Sequence, residues 1–123
     1  MSTLTIGLDY DQTFTADPEL WRQFIGDAQR RGHLVVCVTG RREPPDFSRE
    51  PRLPGSVPIV CAGPDGFKRD AVARAGLHIN IWIDDMPGVT RDRLYGRVQW
   101  KDKDFYVVDT GGLLLKDQDP IME

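Results

Sequence analysis

Three short apolar runs in this chain each end on a residue that can bind a metal or a phosphate. Leu4 to Leu8 runs into Asp9, Leu34 to Val38 into Thr39, and Ile79 to Ile83 into Asp84. Compact, mostly unalternating apolar runs of this length are the pattern of strands buried on both faces, as in a parallel sheet. Parallel strands deliver their carboxyl ends to one edge, and open α/β folds bind ligands at that edge. The spacing therefore predicts one pocket that gathers Asp9, Thr39 and Asp84 from distant parts of the chain.

The segments between the runs supply the expected crossovers. Asp17 is placed to cap a helix that opens with Pro18 and stops before Gly32, and Leu20, Trp21, Phe24, Ile25 and Ala28 form its apolar stripe. Strand, helix and strand in that order make a right-handed βαβ unit. Five of the nine prolines fall between Arg41 and Pro58 together with Arg41, Arg42, Arg49 and Arg52, so this stretch reads as a loop beside the pocket. Val57 to Ala62 is a third strand candidate. Gly63-Pro64-Asp65-Gly66 turns the chain into a helix over 67–75, with Lys68 in its first turn. Beyond Pro87 the pattern predicts a short helix over 89–95 and strands over 97–100 and 105–108. Asp109 reads as a turn cap, or as a pocket residue if its strand runs parallel to the others.

A chain of 123 residues is long enough for one domain with its own core, here 1–123. Its 40% hydrophobic and 28% charged residues exclude global disorder. The longest apolar stretches fall short of the ~20 residues needed to span a bilayer, and the first ten residues lack a signal core, so a cytoplasmic protein without membrane contact is expected. Cys37 and Cys61 lie in neighbouring strand candidates and read as reduced core residues. The net charge of -3 is local, since four of the aspartates fall in the candidate site. His33 and His78 stand at no metal-ligand spacing, and Trp21, Trp82 and Trp100 read as core.

Where the chain leaves the first strand, Asp9 and Asp11 can both turn toward one centre. A nucleophilic carboxylate at Asp9 would form an aspartyl-phosphate, and Asp11 would move the protons. Crowded carboxylates beside a phosphate require a cation, and Asp84 and Asp85 complete a hard oxygen set suited to Mg2+. Thr39 offers a hydroxyl and Lys68 a point charge to the phosphoryl group. A calcium loop is excluded, because Phe14 and Leu20 stand where an EF-hand requires Gly and Glu.

The ordered set Asp9-x-Asp11-x-Thr13, Thr39, Lys68 and Asp84-Asp85 resembles the four motifs of the haloacid dehalogenase-like hydrolase superfamily over roughly residues 4–89. That resemblance implies a three-layer Rossmann-like α/β fold with a mainly parallel sheet in the order 5-4-1-2-3. It also implies Asp9 as nucleophile, Asp11 as acid/base, and Thr39 and Lys68 as phosphate ligands. Mg2+ would be held by Asp9, the Asp11 carbonyl and the Asp84-Asp85 motif. No cap domain fits between the motifs, so the open site suggests a bulky substrate, an oligomer partner acting as lid, or modest specificity.

Residues 35–43 and 81–87 are similar to the phosphatase domain of bacteriophage polynucleotide kinase, where an Arg follows the second motif as Arg41 does here. The expected activity is that of a Mg2+-dependent phosphomonoester hydrolase, with nucleotides or nucleic-acid ends as phosphorylated substrates. Thr13, Gly40, Arg41 and Arg42 are its candidate substrate contacts, although a solvated loop face explains the arginines equally well. Two rivals are a noncatalytic binding protein and a receiver-like phosphoacceptor. The second is disfavoured by chain order, because receivers carry the acidic pair first and the Lys last.

Overall fold

The structure, a computed structural model, describes residues 3–85, 95–100 and 103–109. Its elements are β1 (Thr5–Leu8), α1 (Pro18–Arg30), β2 (Leu34–Thr39), β3 (Ile59–Cys61), α2 (Lys68–Arg74), β4 (Ile81–Asp84), β5 (Tyr95–Trp100) and β6 (Lys103–Asp109). They form an α/β fold around a six-stranded sheet in the order β3-β2-β1-β4-β6-β5. The four strands from β3 to β4 are parallel, while β6 runs antiparallel to β4 and pairs with β5 as a hairpin.

Alternation along the strands assigns each side chain to a face. Ile6, Leu8, Val35, Cys37 and Ile83 join Trp21, Ile25 and Ala28 of α1 in one core. Val36, Val38 and Trp82 join Val72 of α2 in a second core. The sheet is thus covered on both sides, which is why its parallel strands are apolar at consecutive positions. Gly7 lets the layers approach: a Cβ there would meet the side chains of Ile79 at 3.1 Å and Trp82 at 3.2 Å.

The helix signals act as the sequence suggests. Asp17 accepts a hydrogen bond from the Leu20 N–H at 3.2 Å, Pro18 opens α1, and Gly32 leaves it with φ of 90°. Asn80 accepts the Thr5 N–H at 2.8 Å through its side chain and donates its own N–H to the Thr5 carbonyl, pinning the start of β4 to β1. His33 accepts the Leu4 N–H on Nδ1 at 3.0 Å, a structural role at the start of β2.

The proline-rich stretch is more than a solvated loop. Leu53 and Val57 are buried in the first core, Phe47 packs against it, and the Arg22 guanidinium donates twice to the Arg52 carbonyl. Cys37 is buried and Cys61 half-buried, both as free thiols. Near β4 the readings diverge. The helix expected over 89–95 lies outside the described residues up to position 94, and Tyr95 begins a strand. Because β6 is antiparallel, Asp109 pairs in register with Ile81 and Tyr106 with Asp84. The backbone of Asp109 therefore stands roughly 10 Å from that of Asp84 along the strand direction, away from the edge where β1 and β2 end.

Candidate metal and phosphate site

The carboxyl ends of β1, β2 and β4 adjoin, and the Asp9 N–H donates to the Ile83 carbonyl at 3.0 Å, locking the end of β1 to β4. Parallel register then sets Asp9 beside the Asp84-Asp85 pair. One oxygen from each of Asp9, Asp84 and Asp85 lies within 4.8 Å of the others. Asp9 and Asp84 are 6% and 2% exposed, so these are buried charges that require a partner.

Lys68 provides one. From the first turn of α2 its ammonium donates to Asp9 Oδ1 at 2.7 Å and to Asp84 Oδ2 at 2.5 Å. Burial works against the charged lysine, yet Asp9 and Asp84 outweigh it and its pKa is raised. Thr13 Oγ1 donates to Asp9 Oδ2 at 3.1 Å and fixes the second oxygen. With two buried carboxylates facing one ammonium, negative charge remains in excess. Burial first, and the charge of Asp84 second, push Asp9 up to about 8.

The donor set fits a divalent cation. All three ligands are hard carboxylate oxygens, and an ammonium already stands between two of them as an internal cation. Asp9, Asp84 and Asp85 would hold Mg2+, which would supply positive charge to this buried acidic cluster. The pH dependence follows directly. A carboxyl whose pKa rises from 3.8 unfolded to about 8 folded stabilises the metal-free protein below pH ~4, and that contribution is lost as pH rises toward 8. Melting in a chelator should therefore weaken from pH 5 to pH 8.5. Mg2+ should stabilise increasingly over the same interval, and a Mg2+ effect independent of pH would exclude Asp9 as a ligand.

Thr39 is fully buried at the end of β2, and its hydroxyl accepts the Arg41 N–H at 3.2 Å, leaving its own O–H to donate at the edge. Gly40 and Arg42 are exposed just beyond. The Asp11 carboxylate is not among those that meet at the acidic cluster; it faces the Arg41 guanidinium, which donates to its two oxygens at 2.9 and 2.7 Å. The resemblance assigned only the Asp11 carbonyl to the metal, and the Asp11 side chain is taken up by Arg41.

Two neighbours of Arg41 are not marked by any periodic pattern in the sequence as part of this region. Glu50 binds Arg41 Nη1 and Nη2 at 3.0 and 2.6 Å, and Tyr10, fully buried, lies 5.2 Å beneath the guanidinium and donates its hydroxyl to the Pro51 carbonyl at 2.6 Å. Glu50 sits in an irregular segment with no periodicity to mark it. Tyr10 carries a signal, as the one aromatic residue inside Asp9-Tyr10-Asp11, but its burial depends on Phe14 stacking on it and on the tilted ring of Phe47 beside it. The Arg41 pKa is raised, chiefly by its hydrogen bonds to Asp11 and then Glu50.

Comparison with known proteins bears on the second part of the chain. Residues 75–123 match the family model described as 50S ribosome-binding GTPase. GTPase Der of Thermoanaerobacter pseudethanolicus is 63% identical over 38 residues, 31% of this chain and 8% of that protein. GTPase Der of Mesoplasma florum is 56% identical over 36 residues, 29% of this chain and 8% of that protein. GTPase Der of Synechocystis sp. is 44% identical over 64 residues, 50% of this chain and 14% of that protein. The chain thus spans at most about a seventh of the length of these relatives. No solved structure matches it.

These findings correct the family reading. The relatives found are GTPases, not haloacid dehalogenase-like hydrolases, and the family match takes in Asp84 and Asp85, on which the resemblance partly rested. The aspartyl-phosphate at Asp9, the acid/base role of Asp11, the phosphomonoester hydrolase activity and the nucleic-acid-end substrate fall with it. A GTPase positions water and stabilises charge. The noncatalytic and receiver-like rivals gain no support either. The physical reason is that carboxylates, a hydroxyl and a lysine at one sheet edge serve Mg2+ and phosphate in more than one family, so their order identifies chemistry better than ancestry. The match begins at Ala75, after α2, so Asp9, Thr39 and Lys68 precede it.

Proposed function

We propose that this chain binds a guanine nucleotide together with Mg2+ and hydrolyses its terminal phosphate. The observation that carries the reading is the GTPase family match over 75–123, which includes two of the three carboxylates of the acidic cluster. In this proposal Asp9, Asp84 and Asp85 hold Mg2+, which when bound neutralises charge on the phosphate oxygens. Lys68 approaches the same oxygens as a point charge, and the Thr39 hydroxyl donates to them. Thr13 keeps Asp9 in its binding rotamer.

Lys68 takes the phosphate-facing role in this proposal, because its ammonium stands at the acidic cluster between Asp9 and Asp84. Water attacks the terminal phosphorus, the bond to the bridging oxygen breaks, and the nucleoside diphosphate and inorganic phosphate leave. Phe67, 48% exposed and next in the chain to Lys68, offers an aromatic face for the base.

The test is titration of a fluorescent GTP analogue, with ATP as competitor, followed by phosphate release with Mg2+ or a chelator. GTP should outcompete ATP, and Asp84→Asn should lower turnover about 100-fold by removing a metal ligand. A protein that binds Mg2+ but ignores both nucleotides at millimolar concentration would overturn the reading.

A further inference from the structure

We infer that Arg41 is a positioning residue that sets the Mg2+ affinity of the acidic cluster by holding the Asp11 carboxylate out of it. The inference rests on the metal-binding part of the proposed function and concerns Asp11, which the cluster excludes.

The geometry identifies which partner is held. Arg41 is anchored independently of Asp11, because its guanidinium meets both oxygens of Glu50 at 3.0 and 2.6 Å and stacks over the buried Tyr10 ring at 5.2 Å. Glu50 is fixed in turn by the Asp46 N–H at 3.0 Å, and Tyr10 by its bond to the Pro51 carbonyl. Asp11 has no comparable support. Its side chain is 49% exposed, and its carboxylate is engaged from one side by the planar fork of Arg41. Two carboxylates share one guanidinium, so the trio carries net negative charge and its arginine has no surplus to offer an incoming phosphate.

Asp11 is only two residues from Asp9, so their Cα atoms are at most ~7 Å apart, and a side-chain rotation can carry its carboxylate toward the cluster. Freed from Arg41, Asp11 would add a fourth carboxylate to Asp9, Asp84 and Asp85. Carboxylate count is a principal determinant of affinity in hard-cation sites. Arg41 therefore keeps the site at three acids, and the loop over 41–58 that supplies Glu50 becomes part of the metal site without touching the metal.

A double-mutant cycle read by Mg2+ calorimetry tests this without nucleotide. Arg41→Ala should bind Mg2+ about tenfold more tightly than the natural protein, whereas Asp11→Asn alone should change affinity less than about threefold. The double variant should match Asp11→Asn. Arg69→Ala, which removes an exposed positive charge next in the chain to Lys68, controls for simple electrostatics. Glu50→Gln, which loosens the anchor but retains the guanidinium, should give a smaller gain of about threefold and stands in if Arg41→Ala fails to fold.

The inference is overturned if Arg41→Ala binds no tighter, if its gain survives Asp11→Asn, or if Arg69→Ala gains equally. Mg2+ binding without guanine-nucleotide binding would remove the proposed function and leave this inference standing. Absence of Mg2+ binding in every variant would remove both.

Discussion

Lys68→Met should destabilise the protein by about 3 kcal/mol at pH 8 without Mg2+, the cost of leaving a buried ion pair with one partner missing. Lys68 is 13% exposed at its side chain, against 7% for Asp9 and 3% for Asp84, so solvent cannot replace the ammonium. The loss should depend on pH. Lys68 is among the groups that lower the Asp9 pKa, so its removal drives that already raised value higher.

Below pH ~4 both folded and unfolded carboxyls are protonated and the variant should approach the natural protein. As pH rises toward 8, the folded protein must either retain a proton that the unfolded chain has lost or carry bare buried charge, and the deficit grows. Millimolar Mg2+ should recover part of it, by about 2.7 kcal/mol when the ion stands at 100 times its dissociation constant. Urea unfolding at pH 5 and pH 8, with and without Mg2+, measures all four corners. A deficit equal at both pH values and indifferent to Mg2+ would show that Lys68 contributes packing alone.

Phe14→Ala should cost about 3–5 kcal/mol, the range for emptying a large aromatic site in a core. Phe14 is fully buried, stacks on Tyr10 with ring centroids 5.6 Å apart, and its N–H donates to the Asp9 carbonyl at 3.3 Å. The same cavity should loosen the site. Thr13, whose hydroxyl orients Asp9, precedes Phe14, and the preceding Gln12 holds a left-handed φ of 67° that only a well-packed turn sustains. Mg2+ affinity should therefore fall together with stability. Phe24→Ala, at a half-buried position on α1, should cost less and leave Mg2+ binding unchanged. If Phe14→Ala lowered stability but left Mg2+ binding intact, the turn after β1 would be shown to hold its shape without its aromatic anchor.

The proline-rich stretch shows why a loop can be misjudged from its composition. Five prolines correctly exclude a continuous helix, but proline content says nothing of whether the segment packs. Leu53 and Val57 reach the core because Tyr10 and Arg22 capture nearby carbonyls, pairings across 41 and 30 residues that no local pattern encodes. Residues 75–123 illustrate a different failure. Asp109-Thr110-Gly111-Gly112 looked like an ordinary turn, and the stretch declared itself only through comparison with GTPases. Local propensity reports backbone shape, whereas kinship is carried by a string of residues that need not be shaped unusually.

Sequence alone determined the strands β1, β2 and β4, the capped helix α1, the parallel character of the first four strands, and the meeting of Asp9, Thr39, Lys68 and Asp84 at one edge. Each follows from short-range causes: apolar runs, a capping Asp with Pro behind it, and the geometry that brings parallel strand ends together. Tertiary structure decided that β6 returns antiparallel to β4, which carries Asp109 away from that edge, and that the Asp11 side chain faces Arg41 instead of the acidic cluster formed by Asp9, Asp84 and Asp85. Those outcomes depend on pairings between distant residues, above all the sharing of the Arg41 guanidinium by Asp11 and Glu50, and such sharing is settled only once the chain has folded.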